Sequence, residues 1–440
     1  MTPREHFKKQ FTPTSLKAIF EDRIVHTGTT GKDGVSPAAF GQIIDSEISR
    51  ILAKVGSRSY RFTTYRQKLV LKGAGKAPRE ISIATVRDRI VLRAINNILI
   101  ECFSDKRQAA PHHFIHEISQ LIGPLGDEFS FVQVDVRDFY PSILHEKLMA
   151  RLRSRIRTVD LLELIEGAIR TPTGSANSSQ VTLAGVPQGL SISNILSAIY
   201  MTRFDDMMHS RHSYFRYVDD IIVVCKTDQA KKTFSFVAKH LERIGLLCHE
   251  PAKNSKSKIV PLSVGVDYLG YYIRPKAVSV RNSSYRRMME NIMAVLTAAK
   301  HTTNSRKILR RLNIKITGCV FEEKRLGWMF FFSMTTDLRQ LRRLDEFVSQ
   351  AWAKAGMEKF GTPKTFVKSY HEIRYRLNKT KYIPKFDEYT QEQKAALIAD
   401  MEGREVEEVL RWSKERIDRT FAKRVKKEAS KLEKDITPFS

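Results

Sequence analysis

The chain has 440 residues and a mass of 50.6 kDa, more than one ordinary domain needs. Its formal net charge is +27 and its sequence pI is near 9.9, far beyond what solubility requires, so a polyanionic partner is expected. No apolar run approaches the ~20 residues of a membrane span, and the N-terminus has no signal-peptide pattern. Nucleic acid is therefore the expected partner, with no membrane, and a cytoplasmic location is expected.

An alternating segment from Tyr65 to Ile83 is interrupted by a glycine-rich turn. This pattern predicts a β-hairpin that presents Lys72, Lys76 and Arg79. Three cations in so short a span suit a triphosphate, although cations at a hairpin tip are usually just solvated. Apolar residues at helical spacing follow and predict a core helix.

The segment from Phe131 to Ile143 predicts a strand, a turn and then a helix from about Leu144 to Ile156. Asp135 falls at the end of the strand, where ligands often bind at the rim of a sheet. A strand-terminal aspartate is also common as a simple turn or helix cap.

A loop from Gly185 to Asn194 leads into an apolar helix. Its glycines permit close approach of a flat ligand, to which Gln188 offers donors and acceptors. The alternative is a helix-capping loop in which Ser193 or Asn194 is the cap.

Two acids lie between the apolar runs of Phe215–Cys225. The pattern predicts a β-hairpin with Asp219 and Asp220 at the tip. Adjacent carboxylates repel one another and call for a cation, unless the turn is merely exposed. Combined with Asp135, they predict a site for two Mg²⁺ ions, of the kind that catalyses phosphoryl transfer.

The last third is predicted to be mainly helical. Residues 281–350 suit a helical bundle, and residues 364–385 interleave cations with aromatics. That mixture indicates either single-stranded nucleic acid binding or a small aromatic core with solvated cations. Arg404 to Lys434 predicts one long charged helix with an apolar face.

Three of these stretches occur in the order of the catalytic motifs of reverse transcriptases and resemble them: Asp135-Val-Arg-Asp-Phe-Tyr140, Gly185-Val-Pro-Gln-Gly189 and Tyr217-Val-Asp-Asp220. Tyr268-Leu-Gly-Tyr271 is similar to the family's primer-grip motif. Gly31–Val35 and Lys76–Arg89 resemble the fingers motifs of bacterial, group II intron-like members. The resemblance runs from about residue 28 to about residue 275. The sequences of Asp138–Ile143 and Gly189–Asn194 look more like those of the abortive-infection and other phage-defence members.

The resemblance implies a role for each matching residue. Asp135, Asp219 and Asp220, with the backbone carbonyl of Val136, would bind two Mg²⁺ ions, with Mn²⁺ as an alternative. Lys256 would protonate pyrophosphate, with Lys253 and Lys258 as competitors. The incoming nucleotide would be held by Lys76, Arg79, Gln188 and the backbone around Asp138 and Phe139, while Tyr140 would be the steric gate that excludes a ribose 2′-hydroxyl. Tyr268, Leu269 and Gly270 would form the primer grip.

The implied fold is α/β (α+β), a right-hand polymerase. Its expected parts are fingers at 1–110, a palm with an antiparallel sheet at 111–275, a helical thumb at 276–350 and a basic helical C-terminal extension at 351–440.

The implied function is RNA-directed DNA polymerisation on a dedicated non-coding RNA in antiphage defence. Its partners would be an RNA template, a DNA product and deoxynucleoside triphosphates, with a homo-oligomer or a partner protein as a further expectation. The alternatives are untemplated or protein-primed synthesis by the same site, a maturase-like RNA-binding protein with a vestigial site, and a retained mobile-element enzyme.

Overall fold

A computed structural model of the chain describes residues 1–25, 27–71, 78–106, 108–174, 183–252, 255–299 and 305–436. In chain order, the helices are α1 (Pro3–Gln10), α2 (Pro13–Arg23), α3 (Pro37–Gln42), α4 (Ile44–Gly56), α5 (Val86–Cys102), α6 (Pro111–Ile122), α7 (His145–Arg153), α8 (Val159–Arg170), α9 (Ser193–His209), α10 (Ala230–Arg243), α11 (Asn282–Ala299), α12 (Ser305–Thr317), α13 (Trp328–Phe331), α14 (Leu338–Lys354), α15 (Phe366–Tyr375), α16 (Gln391–Glu402), α17 (Val406–Leu410) and α18 (Lys414–Ile436).

The strands are β1 (Arg66–Val70), β2 (Arg79–Ile83), β3 (Phe129–Asp135), β4 (Ser213–Tyr217), β5 (Asp220–Lys226), β6 (Lys258–Pro261), β7 (Val266–Tyr268), β8 (Tyr271–Arg274), β9 (Ala277–Val280), β10 (Cys319–Phe321) and β11 (Lys324–Leu326). The predicted fold class, helices combined with antiparallel sheet, is confirmed.

The chain divides into two compact units. The first contains Met1–Ala109 and Phe129–Ile259, and the second contains Ala110–Glu128 and Val260–Ser440. The four-part division into fingers, palm, thumb and extension stays a prediction. Among the described residues, no helix is both long enough and apolar enough to cross a bilayer.

A four-stranded sheet has the strand order β4-β5-β3-β6, and its strands β3, β4 and β5 lie in the first unit. The β3–β5 and β4–β5 pairs are antiparallel. All four residues from Ile221 to Val224 are buried, which indicates that both faces of β5 are covered. Helix α10 packs against β3, and α9 packs against β4. The sheet is therefore a rigid base for the residues at its ends.

A hairpin and a capped helix precede this sheet in the chain. The predicted hairpin of residues 65–83 is confirmed as β1 and β2, with Arg66 opposite Ile83. Its predicted tip, with Lys72 and Lys76, lies outside the described residues. The core helix predicted after it is α5, which Thr85 caps by accepting a hydrogen bond from the backbone N–H of Asp88 at 3.2 Å.

The second unit contains a three-stranded antiparallel sheet, β7-β8-β9. Leu269 and Gly270 form the two-residue turn between Tyr268 and Tyr271, and both have positive φ, at 48° and 85°. Two positive φ values in succession are typical of a type I′ hairpin turn. The residues predicted as a primer grip thus form a tight hairpin end.

The last third is mainly helical, as predicted, but one prediction for it is wrong. The long helix expected from Arg404 to Lys434 is interrupted between α17 and α18, where Ser413 accepts a hydrogen bond from the backbone N–H of Arg416 and caps the second helix. The helical region also contains the hairpin β10–β11. Its turn residues Glu322 and Glu323 have positive φ, and both donate backbone N–H groups to the Asp387 carboxylate, at 2.8 and 3.0 Å.

The loop before α9 is fastened to β2. The backbone N–H of Ser82 donates to the carbonyl of Gln188 at 2.7 Å. Next to it, Gly189 has a φ of +99°, and a Cβ there would lie 2.7 Å from the side chain of Ile81 and 3.1 Å from the Ser82 carbonyl. Only glycine fits this position without displacing β2.

We therefore expect Gly189→Ala to destabilise the first unit by about 1–3 kcal/mol, because it adds a left-handed backbone penalty to a steric clash. The matched control is Gly56→Ala, whose added Cβ would meet nothing within 4 Å. Urea unfolding followed by far-UV circular dichroism would measure both variants. Equal midpoints for the two would contradict this packing of the loop.

Candidate active site at the end of the central sheet

Asp135 is the last residue of β3 and lies directly opposite Asp220, the first residue of β5. Directly opposed residues of an antiparallel pair project their side chains to the same face. Asp135 is buried, with only 6% of its surface exposed. The pairing therefore brings two carboxylates from distant parts of the chain to one end of the sheet.

The hairpin that carries the other acids differs from its predicted form. The tip was predicted at Asp219 and Asp220, but the observed turn is Val218-Asp219, and Asp220 is already paired with Tyr217. Val218 has a φ of +56°, which is unfavourable for a β-branched residue. Its carbonyl accepts a hydrogen bond from the Arg216 Nη1 atom at 2.8 Å, which helps to hold the strained turn.

A buried ion pair anchors this hairpin to α9. Arg216 donates to both carboxylate oxygens of Asp205, at 2.8 and 2.5 Å, and Tyr214 donates its hydroxyl to the same carboxylate at 2.7 Å. Burial alone would lower the pKa of Arg216, but the Asp205 charge outweighs it and the pKa is raised. Arg216 therefore stays charged and fixes the turn to the helix.

Three polar groups surround Asp135. Lys256 Nζ lies 3.1 and 3.3 Å from its two carboxylate oxygens, and His249 Nε2 lies 3.5 Å from one of them. The Ser257 hydroxyl accepts the Asp135 backbone N–H at 3.1 Å. Lys256, predicted as the proton donor to pyrophosphate, thus stands beside the predicted metal ligand.

Asp219 occupies an environment that disfavours its charge. Burial raises its pKa above the usual aspartate value, and the negative charge of Asp135 raises it further. The positive charges of Lys256 and Arg79 act in the opposite direction. The structure therefore brings Asp135, Asp219, Lys256 and Arg79 within electrostatic reach of one another.

Tyr140 lies within the electrostatic influence of Asp219. Its hydroxyl donates to the side-chain carbonyl of Asn194 at 2.7 Å, and burial raises its pKa to about 12. Beside it, Phe139 is buried in the core, while Asp138 is exposed with a φ of +40°. The ring of Tyr140 is thus fixed between the first motif and α9.

The other predicted residues are placed as follows. Gln188 is half-buried and tied to β2 through its carbonyl. Neither Ser193 nor Asn194 caps α9; Ser193 donates its hydroxyl to the Pro187 carbonyl at 2.6 Å instead. Lys253, like Lys76, lies outside the described residues.

His249, Ser257, Arg216 and Asp205 were not predicted as part of this site. His249 reaches Asp135 because Cys248 forms an isolated antiparallel bridge with Val136, and Ser257 reaches it because it directly precedes β6, the neighbour of β3 in the sheet. The sequence contains a weak signal for His249, a polar residue directly after the apolar run Leu246–Cys248. Nothing local in the sequence reveals which strand end that run will contact.

The residues present fit a hard divalent cation. Within the described ranges, no three His, Cys, Asp or Glu side chains form a ready-made metal cluster. Mg²⁺ is commonly bound by one or two carboxylates, with waters and substrate phosphates completing its shell. Asp135, Asp219 and Asp220 supply such carboxylates. The two hydrogen bonds of the Val136 bridge run from His249 to Asp135 and from Arg137 to Leu247, so neither of them uses the Val136 carbonyl.

The Arg216–Asp205 pair gives a stability prediction. Asp205→Ala leaves the buried Arg216 charge without its partner and should lower the free energy of unfolding by about 3–5 kcal/mol. Its neighbour Asp206 forms an ion pair with Lys106 at 3.0 Å, but 61% of the Asp206 side chain is exposed. Asp206→Ala should therefore cost less than about 1 kcal/mol.

Far-UV circular dichroism during urea unfolding would compare these neighbouring variants, because all three tryptophans lie in the second unit and would not report on the hairpin. A loss of stability as small for Asp205→Ala as for Asp206→Ala would argue against the anchoring role.

The part of the chain that contains these residues is similar to known proteins. Residues 70–273 match the family model "Reverse transcriptase (RNA-dependent DNA polymerase)". The chain is 25% identical over 190 residues to "Uncharacterized 91 kDa protein in cob intron" of Schizosaccharomyces pombe, covering 42% of this chain and 23% of that protein. It is also 25% identical over 195 residues to "Protein YkfC" of Escherichia coli, covering 42% and 51%.

A third relative is "Group II intron-encoded protein LtrA" of Lactococcus lactis, 22% identical over 199 residues, with 44% of this chain and 33% of that protein covered. The chain spans about half or less of the length of these relatives. Among solved structures, a telomerase from Candida albicans in complex with a fragment of telomeric RNA aligns with 79% of this chain and 67% of that one, at 11% identity and a TM-score of 0.38. So low a score does not by itself define the fold.

The family match includes Asp135, both acids of the hairpin and Lys256, the residues that the structure gathers at the end of the central sheet. Residues 70–273, slightly under half of the chain, are therefore similar to a reverse transcriptase domain.

Proposed function

We propose that this chain is an RNA-directed DNA polymerase that adds deoxynucleotides to a 3′-hydroxyl. The observation that carries the proposal is the pairing of the buried Asp135 with Asp220, beside Asp219 and within electrostatic reach of Lys256 and Arg79. A site of this composition inside a region similar to a reverse transcriptase domain suits phosphoryl transfer.

In this proposal, Asp135, Asp219, Asp220 and the Val136 carbonyl would hold two Mg²⁺ ions. Bound there, the metal would lower the pKa of the attacking hydroxyl and neutralise the leaving pyrophosphate. The protein's own contribution is to hold these acids close together, where burial makes the charged form of Asp219 costly and the nearby negative charge of Asp135 adds to that cost.

The cations would act on the triphosphate. Arg79, with Lys76, would bind its oxygens, since a guanidinium matches phosphate geometry. Lys256 would hold a proton at Nζ for the leaving pyrophosphate. Its side chain is 68% exposed, and an ion pair of this kind is weak, so exchanging Asp135 for a phosphate partner costs little.

Tyr140 would select the sugar. Its ring is fixed by the hydrogen bond to Asn194 and by packing against Phe139, with ring centroids 5.4 Å apart. A ring held in this way would exclude a ribose 2′-hydroxyl, so the substrate would be a deoxynucleoside triphosphate.

For the cellular role, we propose antiphage defence with a dedicated non-coding RNA as template. Support comes from the amino-acid sequences of Asp138–Ile143 and Gly189–Asn194, which resemble the matching motifs of phage-defence enzymes. A second candidate is an intron-associated, maturase-like role, which is favoured by the names of the relatives, two of which refer to introns.

Primer extension on an RNA template annealed to a DNA primer, with Mg²⁺ and all four deoxynucleotides, tests the polymerase. Asp219→Asn should lower the extension rate by about a thousandfold or more, because it removes one of the carboxylates that would hold the Mg²⁺ ions. The matched control is Asp228→Asn, which neutralises an exposed acid of the same unit and should extend at the wild-type rate.

Loss of RNA binding in Asp219→Asn would indicate misfolding rather than a catalytic defect, so template affinity is measured in parallel. If wild type and Asp219→Asn bind RNA equally and neither extends the primer, the result contradicts the polymerase proposal and supports the maturase-like role.

Tyr140→Ala should raise incorporation of ribonucleotides relative to deoxynucleotides by about tenfold or more, since loss of a steric block of ~1–3 kcal/mol changes selectivity by that order. Tyr140→Phe removes only the hydroxyl that contacts Asn194 and keeps the ring, so it should retain the wild-type preference. Single-nucleotide incorporation kinetics would give the ratio. Equal relaxation in both variants would assign selectivity to the hydrogen bond and not to the ring.

A further inference from the structure

A cavity of about 480 Å³ in the first unit lies outside the candidate active site and is lined by arginines. Its wall consists of Thr2, Pro3, Arg4, Arg58, Arg155, Arg157, Thr158, Val159 and Asp160. None of these residues was assigned a role above. Four guanidinium groups thus face one concave space that contains a single carboxylate.

Internal partners occupy only half of these guanidinium groups. Arg58 pairs with Asp160, and Arg155 pairs through both of its terminal nitrogens with Asp105, at 2.5 and 3.0 Å. Arg155 also lies over the ring of Phe103, which fixes its direction. Arg4 and Arg157 are exposed and have no ion pair with any described residue. Two of the four charges are therefore available to a ligand.

Neutral groups in the wall suit the same ligand. Thr158 precedes α8 and makes no side-chain cap, so the first N–H groups of that helix have no side-chain acceptor. Val159 is 49% exposed and, with Pro3, supplies an apolar surface. Donors together with an apolar surface suit a ligand with an anionic end and a flat or hydrophobic remainder.

Size and charge define the ligand class. Pockets for nucleotide-sized molecules typically measure ~300–1,000 Å³, and this cavity is at the lower part of that range. Guanidinium groups bind phosphate oxygens in a bidentate manner and remain charged at any physiological pH. We propose that this arginine pocket binds a triphosphate group, carried either by a free nucleotide or by the 5′ end of an RNA.

The proposal does not depend on polymerisation, and its test avoids the active site. Fluorescence anisotropy at physiological ionic strength, with EDTA present, compares one short RNA carrying a 5′-triphosphate with the same RNA carrying a 5′-hydroxyl. The test variant is Arg4→Glu with Arg157→Glu in the full chain. The matched control is Lys231→Glu with Lys232→Glu, the same charge change at exposed positions of α10 in the same unit.

We expect the wild type and the control to prefer the triphosphorylated RNA by about tenfold, because charge-assisted hydrogen bonds are each worth that order. Arg4→Glu with Arg157→Glu should lose this preference and bind the 5′-hydroxyl RNA as the control does. Competition by free ATP then distinguishes the sources: displacement of the triphosphorylated RNA indicates a nucleotide pocket, and failure to displace it indicates a pocket for the RNA end.

The proposal is overturned if the wild type shows no preference, or if the preference survives in the charge-reversed variant. The milder pair Arg4→Ala with Arg157→Ala should reduce the preference in the same direction, which guards against a folding defect in the reversed variant. Calorimetric titration with inorganic triphosphate repeats the comparison without RNA, so a failure of template binding cannot be mistaken for a failure of the pocket.

Discussion

The pairing of two carboxylates at adjacent strand ends, with Asp135 buried and Asp220 half-buried, is the constraint on which this structure depends. Asp135 reaches the site only because β3 pairs with β5 in a single register, and a slip of one residue would turn its side chain to the opposite face. Charged groups so placed repel one another and lose hydration. The positive charges of Lys256 and Arg79 partly offset this effect at Asp219. Arg216 holds the Val218-Asp219 turn by donating a hydrogen bond to the Val218 carbonyl.

Local patterns in the sequence predicted much of this arrangement. An alternating pattern predicted the β1–β2 hairpin, apolar runs on either side of two acids predicted the β4–β5 hairpin, and an apolar stripe predicted α5. The exact turn residues were not predictable, because Val218 takes a positive φ that an arginine hydrogen bond sustains. Likewise, the turn of β10–β11 is held by Asp387, more than sixty residues away. Contacts between residues so far apart in the sequence leave no pattern in the sequence around the turn.

The large positive charge has several separate uses. Arg216 is buried and structural, since it binds Asp205 inside the first unit. Arg79 and Lys256 act on the acids of the candidate active site. Arg4 and Arg157 face a cavity and form no ion pair with any described residue. In the second unit, Lys364 and Lys368 both lie 4.7 Å from the ring centre of Tyr382, while Phe366 and Tyr370 are buried, so that aromatic segment contributes to a core as well as to a basic surface.

The most direct test of the central claim is sequencing of the nucleic acid that co-purifies with the protein when it is expressed beside its native flanking DNA. The wild type should be compared with Asp219→Ala plus Asp220→Ala. A templated polymerase predicts a discrete RNA with both proteins and complementary or repetitive DNA with the wild type alone. The same RNA on both proteins, with DNA on neither, would contradict the polymerase and favour an RNA-binding protein.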